Sequence, residues 1–262
     1  VDPTARFRVL VRGPEPAIPL DELTLLVAAH AEPGLDVASW LEALDDLAAR
    51  CGDPSFAGVV RHVAAEGFSG NRGDYYDPQN SYLHRVIERR TGIPITLSIL
   101  TIEVARRLGV PVVGVGMPGH FLVRDGLDDD AFADPFEGRL LDRAGCERSF
   151  AQLQPDLPFD ESHLAPVGTR AIVTRLLANL KGIHLARRDR RALAWVLTLR
   201  VLMPGVPLEE RRELASALAA DGRFLEAATV LDQLVETAAA AGDTAMAEDA
   251  DRGATRLRAR LN

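Results

Sequence analysis

The stretch that most restricts the fold of this 262-residue chain is Thr91-Gly92-Ile93-Pro94-Ile95-Thr96-Leu97-Ser98, which runs on to Arg106-Arg107-Leu108-Gly109-Val110-Pro111. Proline is favoured at the first position of a helix, where its missing N–H would lack a partner anyway. Pro94 therefore opens a helix, Gly109 suits its exit and Pro111 prevents its continuation. Between them Ile95, Ile99, Ile102, Val104, Ala105 and Leu108 make the helix apolar over most of its girth. Such a helix belongs at the centre of a core, so the rest of the chain has to wrap it.

Downstream of this helix the residues read as a small sheet. Val110–Gly116 and Phe121–Arg124 fit strands around a Met117-Pro118-Gly119 turn, and Phe132–Pro135 fits a returning strand. The Asp128-Asp129-Asp130 triplet between them reads as a solvated turn. Upstream, a helical stretch opens at Ile18-Pro19-Leu20-Asp21-Glu22-Leu23 and stops at Pro33-Gly34. Further helices are expected at Asp36–Arg50, at Phe56–Glu66 (weakened by Gly58) and, briefly, at Ser81–Arg90. The first 15 or so residues are expected to form an arm, and Gly67–Pro78, with Tyr75-Tyr76, a loop.

From about Pro166 the composition turns to Ala, Leu and Arg, and the sequence repeats at a spacing of 34. Leu180 pairs with Leu214, Ala194 with Ala228, Val196 with Val230, Leu197 with Leu231 and Val201 with Val235. That is the tetratricopeptide period. Two units and a final helix, Thr244–Leu261, are fewer than such arrays need to stand alone, so this half is expected to pack on the first. The organisation expected is α+β: an N-terminal helical segment over 1–66, a core over 67–165 and a helical, tetratricopeptide-like region over 166–262.

The formal net charge of -8 argues against a general binder of phosphate backbones, so no nucleic-acid partner is expected. Arg187-Arg188-Asp189-Arg190-Arg191 reads as an inter-helix turn, having no interleaved aromatics. Two cysteines, Cys51 and Cys146, make no disulfide framework and suit a reducing cytoplasm. No apolar run approaches the ~18 residues of a membrane span, and Val1-Asp2-Pro3 does not begin an export signal. A cytoplasmic chain with no membrane partner, metal or cofactor is expected.

Three pieces could carry chemistry together: the helix start at Gly92-Ile93-Pro94, His120 in Pro118-Gly119-His120-Phe121, and Asp134 in Asp134-Pro135-Phe136. A Cys-His-Asp hydrolase ionises its thiol at a helix N-terminus, passes the proton to the His and orients the His with the Asp. Transglutaminase-like enzymes place that Cys in a Gly-x-Cys helix opening, about 15 residues before a Leu-Gly-[Ile/Val]-Pro exit. Counting back 15 from Gly109 lands on Pro94, so a proline stands in the nucleophile's slot.

The same words, with Gly67-Phe68-Ser69-Gly70-Asn71 and Tyr75-Tyr76-Asp77-Pro78-Gln79-Asn80-Ser81, resemble the SirB1 family from about Leu20 to about Val235. The resemblance implies a transglutaminase-like (papain-like) core with proline at the cysteine position, and it implies little about biochemical role. No other residue replaces the thiol convincingly. Ser98, one turn into the helix, is expected to bond the Pro94 carbonyl, Thr96 points elsewhere, Ser81 is expected to cap a helix, and Cys146 and Cys51 read as spectators.

Tyr75, Tyr76, Asn80 and Arg90 form a polar-aromatic group expected near the cleft; with Ser98, the first three are candidate substrate- or partner-binding residues. His30, His62, His84, His163 and His184 have no partner spacing. Two functions stay open. One is a non-catalytic, SirB1-type protein that binds a protein or peptide through the cleft and the C-terminal helices. The other is an amide- or peptide-bond hydrolase or transferase using His120 and Asp134 with a non-standard nucleophile.

Overall fold

A computed structural model describes residues 2–260. The chain divides into two compact units, Val1–Arg6 with Gly13–Leu176, and Phe7–Arg12 with Leu177–Asn262. The start of the chain is not an arm: α1 (Pro3–Val11) is a helix, with Phe7 and Val11 fully buried. Those two apolar residues lie four apart, on one helix face, and outweigh the prolines and the glycine around them.

In the first unit α2 (Leu20–Ala31), α3 (Val37–Ala49), α4 (Phe56–Ala65) and α5 (Leu83–Arg89) all contact α6 (Pro94–Arg107). Asp36 caps α3, accepting from the Ala38 and Ser39 N–H groups, and Ser55 caps α4. Helix α6 is the centre of the unit: every residue from Pro94 to Thr101 is buried, as are Glu103, Val104 and Ala105. Glu103 survives there because Arg106 and Arg107 reach it at 2.8 and 3.0 Å and also grip Asp21 of α2. Burial, then the nearby Asp21 charge, pushes the Glu103 carboxyl up to about 7.

Opposite the helices lies an antiparallel sheet of order β6-β5-β4-β3-β7. Its strands are β3 (Val112–Val115), β4 (Leu122–Asp125), β5 (Phe132–Asp134), β6 (Arg139–Leu141) and β7 (Pro166–Val167). Helices and the β3–β4 ladder both contact α6, so the sequence expectation of a wrapped central helix is met. A separate two-residue parallel pair joins β1 (Ser69–Gly70) to β2 (Thr91–Gly92), tying the Gly67–Pro78 segment to the start of α6. Helix α7 (Arg143–Leu153), capped by Asp142, buries Cys146 and Phe150. The helical half expected from 166 begins instead with a strand, because Gly114 and Val115 of β3 pair with Val167 and Pro166.

The division between the units falls within α8 (Thr169–Arg187). The second unit continues with α9 (Arg190–Arg200), α10 (Glu209–Ala220), α11 (Phe224–Ala240) and α12 (Thr244–Arg258). Each of α9 to α12 packs on the next, around Leu197, Leu214, Leu218, Leu231 and Leu234. The arginine-rich word is the α8–α9 turn, where Arg188 takes φ 56° and Asp189 caps α9 by accepting from Ala192 N–H. Leu261, the expected last residue of the final helix, lies outside the described residues. Among the described residues no helix is long and apolar enough to cross a membrane.

Candidate functional site

Asp134 ends β5 with its side chain turned into the unit, 2% exposed. Its Oδ1 accepts from the Phe136 and Glu137 N–H groups at 3.1 and 3.2 Å. Its Oδ2 accepts from His120 Nε2 at 2.9 Å. The carboxylate is thus held on both oxygens, and the imidazole is oriented through one nitrogen. His120 Nδ1 has no protein partner among the described residues, which leaves it to the cavity that the ring lines.

The backbone under His120 is fixed with equal care. Gly119 takes φ +76°, a left-handed conformation that favours glycine at this turn. Arg175 Nη2 donates to the carbonyls of His120 and Met117 at 2.7 and 3.0 Å, and its guanidinium lies 5.4 Å from the Phe121 ring centroid. Burial holds the Arg175 guanidinium below its usual range.

His120 and Asp134 share a cavity of about 450 Å³ with Pro94, Tyr75, Tyr76 and Phe136. Phe136 stands edge-on to the imidazole, its centroid 6.0 Å away, and Tyr75 stands edge-on to Phe136 at 6.3 Å. This aromatic wall rests on Gly70, where a Cβ would meet the Phe136 ring at 2.4 Å. Pro94 brings the N-terminus of α6 to the same cavity.

Around the rim Arg72 pairs with Glu137, and Arg139 donates to Ser149 Oγ at 3.2 Å. Arg139 has no carboxylate partner among the described residues, so it is the rim cation left for a ligand. Ser149 is the one serine, threonine or cysteine among the described lining residues, and it is bonded to Arg139 rather than to His120. Sequence reasoning missed Arg72, Arg139 and Ser149, which come from the segment after β1, from β6 and from α7. No local pattern marks them.

The remaining expected site residues lie elsewhere. Asn80 is fully buried and does not line the cavity. Its Nδ2 donates to the carbonyls of Asp74 and Tyr75 at 2.7 and 3.3 Å, and its Oδ1 accepts from Asn71 Nδ2 at 3.0 Å. It clamps the tyrosine loop from behind. Ser98, also fully buried, donates to the Phe121 carbonyl at 3.4 Å, not to Pro94 as expected, because β4 runs beside that face of α6.

Thr96 Oγ1 donates to the Asn80 carbonyl at 2.7 Å and accepts from Ile93 N–H at 3.1 Å, fastening the loop to the helix start. Arg90 is turned away, over the Phe68 ring and onto Glu66. Ser81 caps nothing: its Oγ is buried without a hydrogen-bond partner, since Tyr82 occupies the α5 cap position. Cys146 is fully buried and its thiol is pushed up to about 12, by burial first and then by Asp142 and Asp134. Of the acidic triplet, Asp129 and Asp130 pair with Arg124 and Arg143. Among the described residues no group of three His, Cys, Asp or Glu is placed to hold a metal ion.

Comparison with known proteins gives the family. Residues 39–178 match the family model described as transglutaminase-like superfamily. A UPF0162 protein of Xylella fastidiosa is 40% identical over 208 residues, covering 72% of this chain and 74% of the relative. One of Pseudomonas aeruginosa is 33% identical over 177 residues, 64% of this chain and 65% of the relative. The mouse F-box only protein 21 is 58% identical over 132 residues, 47% of this chain but 20% of that protein. No solved structure matches. The chain belongs to the transglutaminase-like superfamily and, through its bacterial relatives, to the UPF0162 family.

Proposed function

We propose that the protein is a non-catalytic, SirB1-type member of the superfamily whose cavity binds a peptide or protein segment, as part of a regulatory scaffold. The observation that carries this reading is Pro94. It lines the cavity beside His120 and Asp134, and a pyrrolidine ring offers no atom to deprotonate or to attack an acyl carbon. The orienting Asp and the proton-accepting His persist, yet no Ser, Thr or Cys is bonded to the imidazole among the described residues. The chemistry left to the cavity is recognition: an imidazole nitrogen and a rim arginine that have, respectively, no protein partner and no carboxylate partner among the described residues, and tyrosines that combine an apolar face with a hydrogen-bonding tip. Tyr76 is 71% exposed and Tyr75 38%, so both are available to a ligand.

The second unit fits the same reading as a tetratricopeptide-like partner platform. The 34-residue offset superposes α8 on α10 and α9 on α11, and the matched Leu180 and Leu214, Ala194 and Ala228, and Leu197 and Leu231 are all buried. The competing reading, an amide hydrolase working through water, rests on the intact His120–Asp134 pair.

One experiment separates them. Wild-type and His120→Ala proteins are tested on a random peptide array for binding, and with peptide and glutamine-amide substrates for turnover. The proposal expects captured peptides, weaker capture by His120→Ala, and no release of amine or ammonia. Turnover that disappears in His120→Ala would make the protein an enzyme.

A further inference from the structure

The second unit carries a cavity of its own, about 400 Å³, between α10 and α12. Its floor is small and apolar: Ala215 and Ala219 of α10, Leu231 of α11, and Ala250 of α12. Its rim is basic. Arg212 stands on α10, Arg256 on α12 and Arg260 two residues past its end, with Asp249 the one acidic residue among the described lining residues.

Asp249 is already neutralised, by Arg212 at 3.0 Å and by Arg252 at 3.7 Å. Arg256 and Arg260 have no carboxylate partner among the described residues; Arg260 lies over the Phe224 ring, 5.8 Å from its centroid. Two guanidinium groups with no carboxylate partner among the described residues therefore edge an apolar trough in a chain whose net charge is -8. An arginine held that way presents a planar fork suited to carboxylates.

We infer that this groove is a docking site for an acidic peptide segment of a partner protein, with carboxylates on Arg256 and Arg260 and the peptide backbone along the α10–α12 trough. The spacing supports an extended peptide. Arg256 lies in the last turn of α12 and Arg260 two residues past its end, with Ala259 still in the helical region of φ and ψ, so about 6 Å of rise separates them. Same-face side chains of an extended chain recur every ~6.6 Å. Acidic residues at alternate positions thus meet both arginines. Nucleic acid fits poorly, since its closely spaced phosphates run well past the two arginines, whereas a short peptide sets its few carboxylates on them. The inference rests on the reading of the protein as a binder, but it does not use the His120 cavity.

The test is fluorescence anisotropy on the full chain with a fluorescein-labelled (Glu-Val)4 octapeptide, and the (Gln-Val)4 and (Lys-Val)4 peptides beside it. The glutamate peptide is expected to bind at least tenfold tighter than the other two, and less tightly as salt rises. Arg256→Glu should weaken it at least tenfold, and Ser216→Trp, which fills the trough from an exposed position, should do the same. Arg191→Glu, the same charge change on α9 and outside the trough, should leave binding within twofold. Far-UV circular dichroism establishes that each variant is folded.

Equal binding of the glutamate and glutamine peptides would overturn the inference. So would equal losses in Arg256→Glu and Arg191→Glu, or a trough closed by self-association, seen as a doubled mass that Ser216→Trp abolishes. If the probe entered the His120 cavity instead, Arg256→Glu and Ser216→Trp would both bind as wild type does, which separates failure here from failure of the proposed function.

Discussion

Replacing Asn80 by alanine distinguishes a clamp from a ligand contact. The side chain is fully buried and makes three hydrogen bonds, donating to the Asp74 and Tyr75 carbonyls and accepting from Asn71. Each such bond contributes about 1 kcal/mol net, and a buried group left unpaired costs more than that. The Tyr75 bond, at 3.3 Å, counts for less than the other two. Asn80→Ala should therefore lose roughly 2–4 kcal/mol in urea unfolding, followed by tryptophan fluorescence, with the slope against denaturant unchanged.

The isosteric Asn80→Asp is the sharper variant. It keeps the acceptor for Asn71 but sets a carboxylate against two carbonyl oxygens that need donors, so it should destabilise at least as much at pH 7. Ligand binding should weaken in both only through a looser Tyr75-Tyr76 wall. A loss below about 0.5 kcal/mol for Asn80→Ala, with binding abolished, would refute this reasoning and make Asn80 a contact after all.

Three further outcomes are expected from the buried charges and thiols. Glu103, pushed up to about 7 from 4.5, holds a proton in the native state that the unfolded chain releases, so its contribution falls as pH rises from about 4.5 to about 7 and is flat above. That gap corresponds to about 3 kcal/mol at most. Glu103→Gln should flatten the stability profile in that window, and an unchanged slope would place the titration elsewhere. Arg200 and Glu210 form a buried ion pair in the second unit, so Arg200→Met alone should cost about 3–5 kcal/mol while Arg200→Met with Glu210→Leu costs much less. Calorimetric melting that shows the double variant as the less stable would contradict this. Cys146, fully buried with its thiol pushed up to about 12, should resist a thiol reagent at pH 8 until denaturant is added, whereas half-buried Cys51 reacts in the native state. Rapid native labelling of Cys146 would show that α7 opens.

The central helix was legible because its signals are local: a proline at its start, a glycine at its exit and apolar residues around it. The site's polar pair was legible for a different reason, since His120 and Asp134 sit in short words whose order the fold fixes. The misses share a physical cause. Helix α1 carries only Phe7 and Val11 as deeply buried apolar anchors, and β7 is two residues long and exists because β3 offers it an edge. Asn80 and Ser98 lie beside site words in the sequence, but a residue can flank a cleft and serve it from behind. Arg72, Arg139 and Ser149 reach the cavity from separate elements, a convergence only tertiary structure reveals.

The most direct test of the account is the reactivity of the thiol in Pro94→Cys. Alkylation by iodoacetamide is followed at that position by mass spectrometry across pH 5 to 10. If Pro94 stands in the nucleophile's place, the new thiol opens into the cavity at the N-terminus of α6, beside His120. Its alkylation should then reach half its maximal rate at least one pH unit below the ~8.5 of a free cysteine, with part of that shift lost on adding His120→Ala. An inert thiol, or one that titrates near 8.5 whatever stands at position 120, would contradict the assignment of Pro94 to that place.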